Sequence, residues 1–364
     1  MILLLMRRYR TMLFVSAVSF YLGYLAAFIS IRQQCVDFFD IFDKNRLTES
    51  LYRHKYAVLV ISGPDNEAKR DAIRATWSKF TNNIYIENGE LLYKWNHTWV
   101  GQQSQDDIVK IFFAVGTEGL NDSTLSKLKT ENSRNNNDLL LLDSFEDSYR
   151  NLASKVLHSL KWIKSNMRDL KYLIKCDDDS FVRVDLIIKE LEAYAPTMND
   201  PALSEYISFK NNLLSYKGLY WGYFNGRARV YLSGKWEETD WFLCDNYLPY
   251  ALGGGYVISR SIVDYIAKNA DFMSLYNSED VSMGVWTAPL GGINRVHDIR
   301  FDTEWKSRGC SKQMLVRHKQ SPSDMFHLYT TLVHTNGEKL CKTELSQRQS
   351  YMYKWNVLPS SCCR

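Results

Sequence analysis

Residues 171–179, KYLIKCDDD, carry an apolar strand straight into three adjacent carboxylates, Asp177, Asp178 and Asp179, and Ser180-Phe181-Val182 follows at once. Neighbouring like charges repel, and a fold gains nothing by setting them at the mouth of a buried strand. A solvated acidic turn is the plain reading of such a triplet. A bound cation is the other, because clustered carboxylate oxygens suit hard or borderline ions such as Mg²⁺ or Mn²⁺. In open α/β sheets ligands sit at the carboxyl ends of strands, where this triplet falls.

The flanking pattern supplies such a sheet. Tyr56–Ile61 (YAVLVI) is a continuous apolar run, as expected of a strand buried on both faces. Ser62-Gly63-Pro64-Asp65 reads as a turn, and a helix follows through about Phe80. Ile108–Val115, closed by Gly116, and Asp138–Leu142 are the next two strands. Ser148–Lys164 is expected to be a helix with Tyr149, Leu152, Val156, Leu160 and Ile163 on its core stripe. Tyr172–Cys176 then delivers the triplet. The order β-α-β-β-α-β predicts an α/β fold, a mostly parallel sheet with flanking helices. Asn82–Asp107 interrupts it as an insertion without clear period.

Ahead of this domain lies a membrane address. Thr11–Ile31 is uncharged over 21 residues, long enough to span a bilayer. Arg7, Arg8 and Arg10 precede it and only Arg32 closely follows, which places the N-terminus in the cytoplasm. The expected organisation is a cytoplasmic tail (1–10), a single-pass signal anchor (11–31), a stem (32–55), a lumenal domain (56–333) and a Cys-containing tail (334–364). Sequons at Asn96 and Asn121 agree with a lumenal domain. Seven dispersed cysteines show no zinc spacing, and an oxidising lumen allows two or three disulfides. Cys176, inside an apolar strand, reads as a buried free thiol. Cys35, just past the membrane, is placed to link two chains. Net charge is only +4 and the basic residues are scattered, so nothing points to nucleic acid.

Several further groups are candidates for chemistry. Arg70 and Arg74 lie four apart after a Gly-Pro turn, either as a solvated basic face or as an anion site at a helix start. Asp147 opens the next helix, as a cap or a ligand contact. Gly253-Gly254-Gly255, flanked by apolar residues, reads as a backbone surface that a bulky ligand approaches. Glu279-Asp280 is either an acidic helix start or the source of a general base. His318, in a strand-like segment, competes with His297 beside Asp298 as the histidine of interest.

Together these stretches resemble the β-1,3-galactosyltransferase family of Golgi glycosyltransferases. The resemblance rests on Arg70-x-x-Ile73-Arg74-x-Thr76-Trp77, Phe113-Ala114-Val115-Gly116, Asp147-Ser148-Tyr149-x-Asn151-Leu152-x-x-Lys155, Asp177-Asp178-Asp179, Gly253-Gly254-Gly255-Tyr256-Val257 and Glu279-Asp280-Val281. It covers about residues 56–330. Tyr220-Trp221-Gly222, Cys244-Asp245 and Phe301-Asp302-Thr303-Glu304 look most like the branch that adds the second galactose of the glycosaminoglycan linkage region. The resemblance implies a GT-A-type fold in a type II Golgi membrane protein. It implies UDP-galactose as donor, Mn²⁺ as metal and inversion at the sugar. Asp177, Asp179 and His318 would hold the metal, and Asp280 would be the base. Arg70, Arg74, Asp147 and Asp178 would meet the nucleotide. Tyr250, Gly254, Gly255, Glu279 and Trp221 would shape the sugar sites, and Cys244 would pair with Cys310. The implied acceptor is a proteoglycan core protein carrying Galβ1-4Xyl. A homodimer, or a complex with other linkage glycosyltransferases, is the implied assembly. A sibling with another donor or acceptor, such as an N-acetylglucosaminyltransferase, and a non-catalytic membrane-anchored lectin are the alternative readings.

Overall fold

The computed structural model describes residues 54–87, 90–95, 108–143, 145–193, 218–343 and 348–363. The expected membrane anchor (11–31), Cys35 and the Asn96 sequon lie outside them. Among the described residues no helix is long and apolar enough to cross a membrane.

The chain runs β1 (Tyr56–Ile61), α1 (Glu67–Ala75), β2 (Ile84–Glu87), β3 (Glu90–Tyr93), β4 (Val109–Gly116), α2 (Asp122–Arg134), β5 (Leu139–Leu142), α3 (Leu152–Asn166), β6 (Tyr172–Asp177), β7 (Phe181–Val182) and α4 (Val184–Glu192). It continues with β8 (Gly218–Asn225), β9 (Tyr250–Ser259), α5 (Arg260–Lys268), α6 (Glu279–Thr287), β10 (Ile293–His297), β11 (Phe301–Asp302), β12 (Val316–Arg317) and α7 (Pro322–His334). Seven strands form one sheet in the order β10-β8-β9-β6-β1-β4-β5. Every pairing in it is parallel except the two made by β9.

Strand β1 shows why the sheet is central. All six of its residues are buried. Tyr56, Val58 and Val60 face a layer that holds Ile73, Trp77 and Phe80, whereas Ala57, Leu59 and Ile61 face Val156, Leu160 and Ile163. The two-residue period of a strand thus feeds two helical layers at once, as a doubly covered parallel sheet requires.

Besides α1, which ends at Ala75 short of Phe80, and the β2–β3 hairpin inside the expected insertion, two helices differ from the sequence expectation. Helix α2 lies between β4 and β5, where the reading has no helix; Leu128 and Glu131 are its buried residues, so its sequence carries no apolar stripe. The Asn121 side chain caps it by accepting from the Thr124 N–H at 2.8 Å, which makes the exposed sequon a helix start as well. The other helix begins only at Leu152, after a tight turn over Tyr149–Asn151. Tyr149 is therefore 37% exposed instead of lying in the core.

The second half depends on distant partners. Strands β11, β12 and β7 form a small sheet that carries the chain up to His318 beside β6. Cys310, just before β12, bonds to Cys341 beyond α7, across 6.3 Å between Cα atoms. The expected Cys244–Cys310 pair does not form, and Cys244 is exposed with a free thiol. Cys176 is the buried free thiol expected. Near the end of the chain, Tyr353 and Trp355 stack on each other and pack edge-on against Phe224, and Cys362 is bonded to Cys363.

Candidate active site

The carboxyl end of β6 gathers the titratable groups. Asp177 ends the strand, and the chain turns through Asp178 and Asp179. The His318 Nε2 lies 3.0 Å from an Asp179 oxygen and 3.4 Å from an Asp177 oxygen. Donor atoms of these three residues all fall within 4.8 Å of one another, so one ion can contact all three. Two hard carboxylates and one borderline imidazole fit Mn²⁺ or Mg²⁺. Burial alone would discharge His318, but hydrogen bonds to Asp177 and Asp179 lift its pKa to about 9. A cation in that place would compete with the proton for the same nitrogen.

The middle carboxylate faces elsewhere. Asp178 is buried and accepts from Ser62 Oγ at 2.9 Å, Asn66 Nδ2 at 2.8 Å and Lys69 Nζ at 2.8 Å. It ties the triplet to the turn after β1. The turn thus sends Asp178 toward β1, while Asp177 and Asp179 both reach His318.

The glycine run on β9 joins this group to a second carboxylate. The Gly253 N–H donates to Asp280 Oδ2 at 2.9 Å. A β-carbon on Gly254 would lie 2.6 Å from the His318 ring, and one on Gly255 would lie 2.9 Å from Val316. The glycines therefore make room for the protein's own His318 and β12, not for the bulky ligand expected. Lys175, buried in β6, reaches Asp177 at 3.0 Å, the Gly253 carbonyl at 2.7 Å and Glu279 at 2.8 Å. Burial opposes the charge on Lys175, but Asp177 and Glu279 hold its pKa above the ordinary value. Glu279 also accepts from the Tyr256 hydroxyl, so both of its oxygens are engaged.

Asp280 is the exception among these carboxylates. It sits in the first turn of α6, partly exposed, where the adjacent Val281 N–H donates to its second oxygen at 2.9 Å. Burial, and then the neighbouring Glu279 charge, lift its pKa to about 7, against the pull of the Gly253 N–H and Lys175. A carboxyl poised near neutrality is matched to proton abstraction.

Other sequence candidates fill structural posts. Arg70 is fully buried and grips Glu131 through two bonds of 2.7 and 2.8 Å. Arg74 holds Asp138 with bonds of 2.8 and 2.9 Å and reaches Glu131 at 2.8 Å. Both guanidiniums are spent fastening α1 to α2 and β5, so neither is offered to a nucleotide as expected. Asp147 stays at the carboxyl edge of the sheet, accepting from the Gly116 N–H at 3.0 Å and from Lys155 at 2.6 Å. Trp221 is buried with its indole N–H on Asp298 at 3.0 Å, and Tyr250 is buried among Tyr247, Tyr276 and Val281. Neither presents a face to a sugar. His297 accepts from the Phe224 N–H and meets the Tyr351 carbonyl through its other nitrogen. Burial pushes its pKa down to about 3, so the competing histidine is a core residue.

The galactosyltransferase family model matches residues 68–298, more than half of the chain, a span that holds the Asp triplet, the glycine run and Asp280 but not His318. This chain belongs to the galactosyltransferase family. It is a glycosyltransferase. It is 41% identical over 308 residues to mouse (Mus musculus) β-1,3-galactosyltransferase 6, an alignment covering 85% of this chain and 82% of that relative. It is 34% identical over 161 residues to the zebrafish (Danio rerio) UDP-GalNAc:β-1,3-N-acetylgalactosaminyltransferase 2, covering 44% of this chain and 28% of that one. Among solved structures, the galactosyltransferase LgtC with donor and acceptor sugar analogues aligns at 13% identity over 66% of this chain and 72% of its own, with a TM-score of 0.29, too loose to carry an argument.

In this galactosyltransferase, sequence reasoning passes over Lys175, Trp236 and Trp305 and assigns Tyr149 to the core. Lys175 carries a signal, a cation placed inside an apolar strand two residues before the triplet. Trp236 and Trp305 carry none beyond being aromatic, and the helical period misplaced Tyr149. Their placement depends on loops that meet only in the folded protein.

Proposed function

We propose that this chain is an inverting β-1,3-galactosyltransferase of GT-A type. It moves galactose from UDP-galactose to the 3-hydroxyl of Galβ1-4Xyl in the glycosaminoglycan–protein linkage region. The observation that carries the reading is the Gly253–Gly255 segment, which holds the base Asp280 through Gly253 and seats His318 on Gly254. The similarity to the mouse β-1,3-galactosyltransferase 6 supports the linkage formed and the donor sugar.

Asp177, Asp179 and His318 are the residues that would hold a divalent cation, Mn²⁺ in this reading, which when bound offsets charge on the departing UDP as a Lewis acid. The remaining work falls to side chains of this protein. Asp280 accepts the proton of the acceptor hydroxyl as that oxygen attacks the anomeric carbon from the face opposite UDP. Its oxygens are aimed by the Gly253 and Val281 N–H groups, so the base is oriented before the acceptor arrives. Lys175 holds Asp177, Glu279 and the Gly253 carbonyl in one cluster, which keeps metal ligand and base in register. In the same reading the protein is a type II Golgi membrane protein anchored by residues 11–31, and its acceptor is carried on a proteoglycan core protein.

The test is radiolabelled sugar transfer by the full-length enzyme in detergent with Mn²⁺. UDP-galactose and UDP-N-acetylglucosamine are offered against a Galβ1-4Xyl aglycone and other acceptors. Galactose on the first acceptor is expected, and transfer only from another donor or to another acceptor overturns the substrate assignment. Asp280→Asn should lower kcat by about 10²–10⁴-fold with UDP affinity unchanged. A variant that keeps full turnover removes Asp280 from the role of base.

A further inference from the structure

Of the residues expected to shape the sugar sites, the two aromatic ones, Trp221 and Tyr250, are buried, yet other aromatic rings stand open on loops tied to His318 and Asp280. Trp305 is 69% exposed, and Tyr149 is exposed as well. Leaving an indole in water forfeits the largest apolar burial available to a side chain. These rings are also not loose. Trp236 meets Trp305 edge-on at 5.7 Å between centroids and also packs against Tyr231 at 5.6 Å.

Both ends of this row are tied to the reacting groups. The Trp236 loop is pinned just before the base: the Asn277 side chain donates to the Glu237 carbonyl at 2.9 Å, and its N–H donates to Glu238 at 2.9 Å. Asp280 follows three residues later. At the other end Lys319, directly after His318, lays its ammonium over the Trp305 ring, 2.9 Å from the centroid. Lys319 takes a left-handed backbone, φ +59°, which a lysine rarely adopts. Lys235 covers the Tyr149 ring in the same way at 4.0 Å. Burial raises the Tyr149 pKa to about 12, a side-chain hydrogen bond with Trp236 opposes the rise, and the charges of Asp280, Asp177 and Glu279 add to it.

We propose that Tyr149, Trp236 and Trp305 form the platform on which the acceptor's pyranose rings stack, beside Asp280. The inference rests on the transferase reading above and names the part of the site that reading leaves unassigned. The C–H face of a pyranose is apolar and weakly positive, and it complements the negative face of an aromatic ring. The donor diphosphate belongs with the metal carboxylates, whereas the acceptor must bring its hydroxyl to Asp280, the end at which Trp236 is pinned. The two ammoniums cover faces that a sugar would take. Their long flexible stems let them swing aside at little cost.

Full-length enzyme carrying Trp236→Ala, Trp305→Ala or both, with Trp305→Phe as the conservative control, tests the platform. Acceptor KM should rise about tenfold or more in the alanine variants. UDP affinity and acceptor-independent hydrolysis of UDP-galactose should stay within twofold, and Trp305→Phe should recover most of the loss. The indole fluorescence of the wild type should change on adding Galβ1-4Xyl aglycone, and the double variant should not respond. A fall in UDP affinity would reassign the rings to the donor and overturn the proposal. An unmoved acceptor KM, or silent fluorescence in the wild type, would overturn it too. Failure of the transferase reading looks different: wild-type enzyme then places galactose on no Galβ1-4Xyl acceptor, whatever the rings do.

Discussion

The parallel half of the sheet, β1 to β6, and the segment from β9 to His318 treat charge in opposite ways. In the first, Arg70, Arg74, Lys155 and Asp178 are each matched to partners within the fold, and most are buried. In the second, Asp280 and His318 each have partners but are driven away from their ordinary pKa values, to about 7 and about 9. The first pattern holds elements together. In the second, burial and the Glu279 charge hold Asp280 near neutrality, whereas Asp177 and Asp179 hold a proton on His318 that a cation would displace. Two arginines four apart on a helix satisfy an anion-site pattern equally well whether they face out to a ligand or in to Glu131 and Asp138. The spacing says they share a face, and only the packing says which way that face looks.

That contrast can be broken. The largest effect should come from Arg70→Met, which leaves Glu131 buried with only Arg74 to answer it. Unfolding stability should fall by about 3–5 kcal/mol, read from the denaturant midpoint, with the donor KM of the folded fraction unchanged. A donor KM that rises without loss of stability would return Arg70 to the nucleotide site. Next comes Gly254→Ala, whose new methyl group must displace the His318 ring. A displacement of about 1 Å there should cost about 10²-fold in kcat/KM and weaken metal binding measured by calorimetry. Full activity in that variant would mean the glycine run serves a ligand after all.

The smallest effect sharpens the comparison. As a base, Asp280 works only when ionised, so kcat should climb as pH rises through about 7 and then level off. The Glu279 charge raises the Asp280 pKa, so Glu279→Gln should move that limb to lower pH. A limb that stays in place, or moves upward, would separate Glu279 from the tuning of the base.

Much of the parallel half was legible beforehand. Continuous apolar runs such as YAVLVI mark strands covered on both faces, and β1, β4, β5 and β6 follow them to within a residue. Helix α2 was invisible because it buries little. The Asp triplet was legible as a candidate cation site, whereas Asp280 and His318 were singled out by the family resemblance, because an acidic helix start and a lone histidine each have a plain structural reading. The pairing of Cys310 with Cys341 was not, because α7 must first fold back to bring the two together. Nor could Lys175 be placed between Asp177 and Glu279, residues that lie 2 and 104 positions away along the chain.

By itself, then, the sequence determined the alternation of strands and helices, the place where carboxylates end a strand, and the family. Those follow from local period and residue type, which act over a few neighbours. Tertiary structure alone decided which charges are consumed and which remain for chemistry. It turned Asp178 away from Asp177 and Asp179, spent Arg70 on Glu131, set His318 on Gly254 and left Trp305 in water. A buried charge must find its partner wherever the fold brings one, and distance in space, not along the chain, determines that choice.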